Sequence, residues 1–153
     1  MSKKATEMLE QDHRTVEKLL DRLVEQKGDP METLAEIERE IKVHSHIEEK
    51  IFYPEYRKAV ADSEAEELVE ESLEEHHLVD VIIHDMKGLK GDSPEFKGKA
   101  SVLKEAIMHH ANDEEEDLFP KAEKVMGDET LRELADRMEK SRANYQPELE
   151  IEA

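Results

Sequence analysis

Apolar residues recur along most of the chain at alternating spacings of three and four, which lines one face of an α-helix. The first run carries Leu9, Val16, Leu20 and Leu23, and the second Leu34, Ile37, Ile41 and Ile51. The third carries Val69, Leu73, Ile83 and Met86, and the fourth Phe96, Ala100, Leu103, Ile107 and Leu118. Breaks fall at Gly28-Asp29-Pro30, at Asp62-Ser63, between Gly88 and Pro94, and at Gly127-Asp128. Asp29 and Ser93 read as N-caps, each followed by a proline suited to the first helical position. Ser63-Glu64-Ala65-Glu66 reads as a capping box. Pro54 and Pro120 are expected to kink or end the second and fourth helices. Four amphipathic helices on short turns predict an all-α fold, an up-down-up-down four-helix bundle over residues 1–126. A short C-terminal fifth helix is expected within 127–143, from Asp128 to about Arg142, with Leu131, Leu134 and Met138 on one side. Residues 144–153 read as a flexible acidic tail.

Composition narrows the function. Charged residues make up 41% of the 153, and the formal net charge is -19, so neither nucleic acid nor an anionic membrane is an expected partner. No stretch approaches the ~18 apolar residues of a membrane span, and the N-terminus lacks a secretory-type apolar core. With no Cys, disulfides, thiolate metal sites and Cys nucleophiles are excluded, and a cytoplasmic location is the expectation. Without a large recognisable apolar patch, the chain reads as a monomer or weak homodimer. There is no phosphate-binding glycine loop and no serine elbow.

The apolar stripes have polar gaps. Between Leu9 and Val16 stands His13. The row Ile37, Ile41 continues through His44 and Glu48 to Ile51. His76 follows Leu73, and the row Leu103, Ile107 continues through His110 and Glu114. Antiparallel neighbours are level when equally far from the turn that joins them. The midpoint of 13 and 44 falls at the Gly28-Asp29 turn, that of 48 and 76 at Asp62, and that of 76 and 110 at Ser93. All four helices therefore bring these side chains to one layer. The halves also repeat. Asp12-His13-x-x-Val16 matches Glu75-His76-x-x-Val79, and His44-x-x-x-Glu48-Glu49 with Phe52-Tyr53-Pro54 matches His110-x-x-x-Glu114-Glu115 with Leu118-Phe119-Pro120.

Unpaired carboxylates in a bundle core are costly, and four imidazoles with two carboxylates make a Lewis-basic cavity that two cations neutralise. Imidazole with carboxylate suits Fe, Mn or Zn. His and Glu at i and i+4 share one helix face, so the set divides as two His per metal with Glu48 and Glu114 free to bridge. No catalytic residue is expected beyond the metal centre. Tyr53 is either a further ligand or a core cap with its hydroxyl toward solvent. Glu17 and Asp80, one turn past His13 and His76, are either additional ligands, acceptors for an imidazole N–H, or solvated flank. His46 is expected to face away from the site.

These residues resemble the hemerythrin family, specifically its HHE cation-binding domains, over about residues 5 to 126. The resemblance implies a non-haem di-iron centre: two iron ions, oxo- or hydroxo-bridged, in preference to Mn or Zn. The implied partners are small molecules: O2, peroxide or nitric oxide. The family's oxygen carriers have a His-x-x-x-His pair on the third helix, where this chain has Asp80 four residues after His76. They also have an Asp at i+5 where this chain has Glu114 at i+4. Four His, two bridging Glu and one oxo bridge leave about one open position on each metal. The resemblance thus implies O2 or peroxide chemistry such as catalase- or peroxidase-like detoxification, redox sensing or iron handling. A reversible O2 carrier and a non-catalytic, metal-dependent interaction module are the alternatives.

Overall fold

Each break in the apolar pattern becomes a turn, and three of them carry a side-chain cap. The computed structural model describes residues 3–149, all helical apart from turns and the C-terminal segment. Helix α1 spans Ala5–Val24 and α2 spans Pro30–Ile47. After a π-helical turn, Glu48–Phe52, the chain continues as α3, Tyr53–Val60. Helix α4 spans Ser63–Met86 and α5 spans Pro94–Asp113. A second π-helical turn, Glu114–Leu118, leads into α6, Phe119–Met126. Helix α7 spans Asp128–Asn144.

Asp29 and Ser93 cap as expected, accepting from the amides of Met31 at 3.0 Å and Phe96 at 3.1 Å. At the second turn the cap is Asp62 and not Ser63: its carboxylate accepts from the Ala65 amide at 2.8 Å, and Ser63 is the first helical residue. Both side chains can cap, and the carboxylate is the stronger acceptor toward the positive end of the helix.

The prolines do not stop the helices. The residue before each one, Tyr53 or Phe119, donates its amide five residues back, to Glu48 or Glu114. A proline has no N–H and clashes with the carbonyl four residues before it. The wider turn absorbs one extra residue at that point, and helical backbone continues through it. Such turns often mark functional sites.

Helices α1, α2–α3, α4 and α5–α6 form the up-down-up-down bundle, with α1 against α2 and α5, and α4 against α5, α3 and α2. Its interior is two apolar clusters. One, at the Gly28 and Gly91 end, gathers Val16, Leu20, Leu34, Ile83, Phe96 and Leu103. The other gathers Leu9, Phe52, Tyr56, Val69, Phe119 and Leu134. The polar layer separates them.

Gly127, at φ 80 and ψ 162, links α6 to α7 in a conformation essentially restricted to glycine, and α7 then returns along α1 and α2. Within the segment read as a flexible tail, residues 145–149 run back along α2. Tyr145 stacks on His46 with ring centroids 3.8 Å apart, and Lys42 donates to the Glu148 carbonyl at 2.6 Å. Residues 150–153 of that tail lie outside the described residues. No helix among the described residues is long and apolar enough to cross a membrane.

Candidate metal centre

The midpoint arithmetic holds in three dimensions. His13 on α1, His44 on α2, His76 on α4 and His110 on α5 are each under one-tenth exposed, and Glu48 and Glu114 open the two π-helical turns fully buried. The donors fall into two groups, His13 with His44 and Glu114, and Glu48 with His76 and His110; within each group the ligand atoms lie within 4.8 Å of one another. Each glutamate also reaches the other pair. Glu48 Oε1 is 3.1 Å from His76 Nε2 and 3.2 Å from His44 Nε2. Glu114 Oε1 is 3.1 Å from His13 Nε2 and 3.3 Å from His110 Nε2. Each carboxylate is thus within reach of both imidazole pairs and could span two cations.

The outer nitrogen of every imidazole is held by a further carboxylate. His44 Nδ1 donates to Asp12 at 2.9 Å, and His110 Nδ1 to Glu75 at 2.7 Å. His13 Nδ1 donates to Glu115 and His76 Nδ1 to Glu49, both at 2.8 Å. These bonds fix the tautomer, point each Nε2 inward and raise its basicity, as carboxylates behind metal-binding histidines do. All four were missed from the sequence, yet the signal was present in the repeat. Asp12 and Glu75 precede the paired His13 and His76, and Glu49 and Glu115 follow the paired Glu48 and Glu114. A residue next to an inward ligand faces the neighbouring helix, where the next imidazole stands.

Glu17 and Asp80 do not fill that role. Glu17 lies 3.9 Å from Arg14, Asp80 is exposed, and the four Nδ1 atoms are already taken. His46 is partly covered by Tyr145 and is no part of the layer.

Tyr53 departs from the solvent-capping expectation. It is 1% exposed, and its hydroxyl donates to Glu114 Oε2 at 2.7 Å and lies 3.5 Å from His76 Nε2. Five residues after Glu48, a regular helix would carry Tyr53 roughly 140° round the axis. The π-helical turn absorbs the extra residue and returns the ring to the inward face. Phe119 occupies the matching place in the other half. Tyr53 stacks on His76 with centroids 5.9 Å apart, and Phe119 on His13 at 5.8 Å. The pseudo-twofold thus relates two aromatic walls, only one of which bears a hydroxyl.

The electrostatics match a cation site. Burial opposes charge on His44, but Glu48 and Asp12 outweigh it and push its pKa up to about 10. His76 and His110 are raised against burial by Glu48 with Glu49, and by Glu114 with Glu48 and Glu75. Burial would raise Glu48, but His44 and its hydrogen bonds hold it well below the ordinary range. Burial first, then Glu114 and Glu48, raise the Tyr53 phenol well above its usual value, so it keeps its proton. At the layer Glu48 Oε2 has no hydrogen-bond partner, His44 Nε2 meets only Glu48 Oε1 at 3.2 Å without hydrogen-bond geometry, and the Nε2 atoms of His76 and His110 face each other at 3.2 Å. Orphaned inward donors of this kind fit bound cations and make a poor self-satisfied polar layer. Arginines sit behind one half: Arg14 donates to Glu115 at 2.6 Å, and Arg142 of α7 to Asp12 at 2.9 Å.

Comparison with known proteins bears on the fold and the family. A solved structure, that of a hemerythrin HHE cation-binding domain-containing protein from Mycobacterium kansasii, superposes with a TM-score of 0.75 at 23% identity, covering 92% of this chain and 88% of that one. At that identity the likeness speaks for the fold. The chain is also 26% identical over 146 residues to a protein from Nostoc sp. described as a DNA nickase, which is 94% of this chain and 40% of that protein. It thus spans well under half of that relative's length. The model of the hemerythrin HHE cation-binding domain matches residues 4–122, which contain all six inward donors. The chain belongs to the hemerythrin HHE cation-binding domain family.

Proposed function

We propose that this chain is a non-haem di-iron protein that holds two irons in the bundle core and reacts with O2 or peroxide. The observation that carries this reading is the doubled ligand set. Two imidazole pairs have their outer nitrogens fixed by carboxylates, and two buried glutamates each reach both pairs. His13 and His44 would hold one metal, His76 and His110 the other, and Glu48 and Glu114 would span them. Bound iron supplies Lewis-acid and redox chemistry toward small oxygen species.

The chain's own contribution is placement, an apolar surround and one proton. Apolar clusters close the layer above and below. The protonated Tyr53 hydroxyl is the only phenol at the layer among the described residues, and its bond to Glu114 places a donor beside one half of the site. The exposed Asp80 where the carriers have a histidine favours an open position on each metal. That supports peroxide or O2 chemistry over reversible carriage. A sensor role has its own support, because Arg142 ties α7 through Asp12 to His44, so metal occupancy and the docking of α7 share one chain of hydrogen bonds. DNA nicking, described for the Nostoc protein, is disfavoured for this segment by a formal charge of -19, which repels the phosphate backbone.

Metal analysis of aerobically purified protein tests the proposal. About two irons per chain, near-ultraviolet bands from iron, and O2 evolution on adding peroxide are expected. One zinc per chain, or no metal, contradicts it.

A further inference from the structure

The pseudo-dyad of the core is broken just outside it. On one side α7 lies across α1 and α2, its Leu131, Leu134 and Met138 in one apolar cluster with Ile47 and Val43, and Arg142 reaches Asp12. In the repeat, Asp12, Val43 and Ile47 correspond to Glu75, His109 and Asp113. The groove between α4 and α5 stays open there, with His109 67% exposed.

Those three residues form a cluster of metal-ligand type. Asp113 stands one turn after His109 on α5, with its carboxylate 3.1 Å from His109 Nε2, and Glu75 Oε2 approaches the same nitrogen at 3.6 Å from α4. One ligand atom from each lies within 4.8 Å of the other two. An imidazole with two carboxylates suits divalent first-row cations. Glu75 is shared with the core, since its other oxygen holds His110.

Beside the cluster is a cleft of about 150 Å³, lined by Glu71, Glu75, Asp113 and Asp117 and reaching the buried Glu114. No Lys or Arg lines it, whereas three other clefts carry Lys42 and Lys50, Arg22 and Arg39, or Arg14; a further cleft, over His44, His76 and His110, also lacks Lys and Arg but has no carboxylate in its lining. Carboxylates of one sign around a narrow opening focus the field and concentrate cations.

We propose that Glu75, His109 and Asp113 are a docking site for a divalent first-row cation at the mouth of this cleft, from which the cation passes along the acidic wall to Glu114 and the core. The route rests on the di-metal reading above; the docking site does not. Titration of the metal-loaded protein with Mn2+, followed by loss of the free-ion paramagnetic resonance signal, should reveal one further site. His109→Ala and Asp113→Asn should each weaken that site by about tenfold or more. Both side chains are over one-third exposed, so the variants should fold, which circular dichroism checks. Ferrous uptake by the metal-free protein should slow by about tenfold in both variants, with the final iron content unchanged. No further Mn2+ on the loaded wild type, or unchanged binding in His109→Ala, overturns the docking site. Mn2+ binding with equal uptake rates overturns the route. If the wild type takes up no core iron, the di-metal reading fails, and the docking site then stands or falls on the Mn2+ titration alone.

Discussion

Replacing Tyr53 with Phe removes one oxygen atom and keeps the ring. Phe119 shows that a phenyl at the matching position packs well on its imidazole, so the wall beside His76 should survive. The lost hydroxyl is the partner of Glu114 Oε2, while Oε1 already faces His13 and His110. In the metal-free protein the variant therefore leaves a carboxylate oxygen without a donor on a residue 1% exposed. A hydrogen bond to a charged group contributes about 1.5–3 kcal/mol, so a loss of roughly 2 kcal/mol is expected. For a chain of this size that corresponds to a Tm lower by about 4–8 °C. With metals bound, Oε2 can turn to a cation instead, and the deficit should shrink to less than about half of that. Calorimetric scans of wild type and Tyr53→Phe, each metal-free and loaded, give the four numbers required. Equal loss in both states would show that the hydroxyl serves the fold and not Glu114. No loss in the metal-free state would show that the bond is not made.

Other perturbations separate the parts of the site. Asp12→Asn and Glu115→Gln should each weaken metal binding by about 10–100-fold with helical dichroism unchanged, while Glu17→Gln should leave it as in wild type; competition against a chelator reads this directly. Arg142→Ala leaves Asp12 with only His44 to balance it and should cost the metal-free protein about 1 kcal/mol, measured by urea unfolding. The raised pKa of His44 stabilises the metal-free fold fully below its unfolded value near 6.5, and that contribution is lost as pH rises through about 10. The metal-free Tm should accordingly fall between about pH 7 and 10, and His44→Gln should flatten that slope. Because metals displace these protons, loading at about pH 7.5 should release protons, and calorimetry in two buffers of different ionisation enthalpy should give different apparent heats.

What the chain's pattern reveals and conceals follows from how far each feature depends on local periodicity. The helices, their order and the level layer follow from apolar spacing and from equal distances to the turns, because an α-helix rises uniformly per residue. His13, His44, Glu48, His76, His110 and Glu114 stand out as polar residues inside apolar rows, a contrast that needs no partner to be seen. Asp12, Glu49, Glu75 and Glu115 sit beside those rows among many other acidic residues, and only the neighbouring helix shows what they hold. For Tyr53 the sequence left two orientations open, because the π-helical turn shifts the register that a 3.6-residue count assumes. Arg142 is 130 positions from Asp12, and nothing in local sequence connects them. Asp62 and Ser63 were both competent caps, and that choice rested on which acceptor reached the Ala65 amide.

The central claim is that two cations lie within the layer, one near each imidazole pair. Anomalous scattering at the iron absorption edge, from crystals of protein grown with iron, tests it most directly. The account predicts two peaks about 3.5–4 Å apart, one beside His13 and His44 and the other beside His76 and His110, with Glu48 and Glu114 between them. A single peak, or peaks confined to the bundle surface, would contradict it.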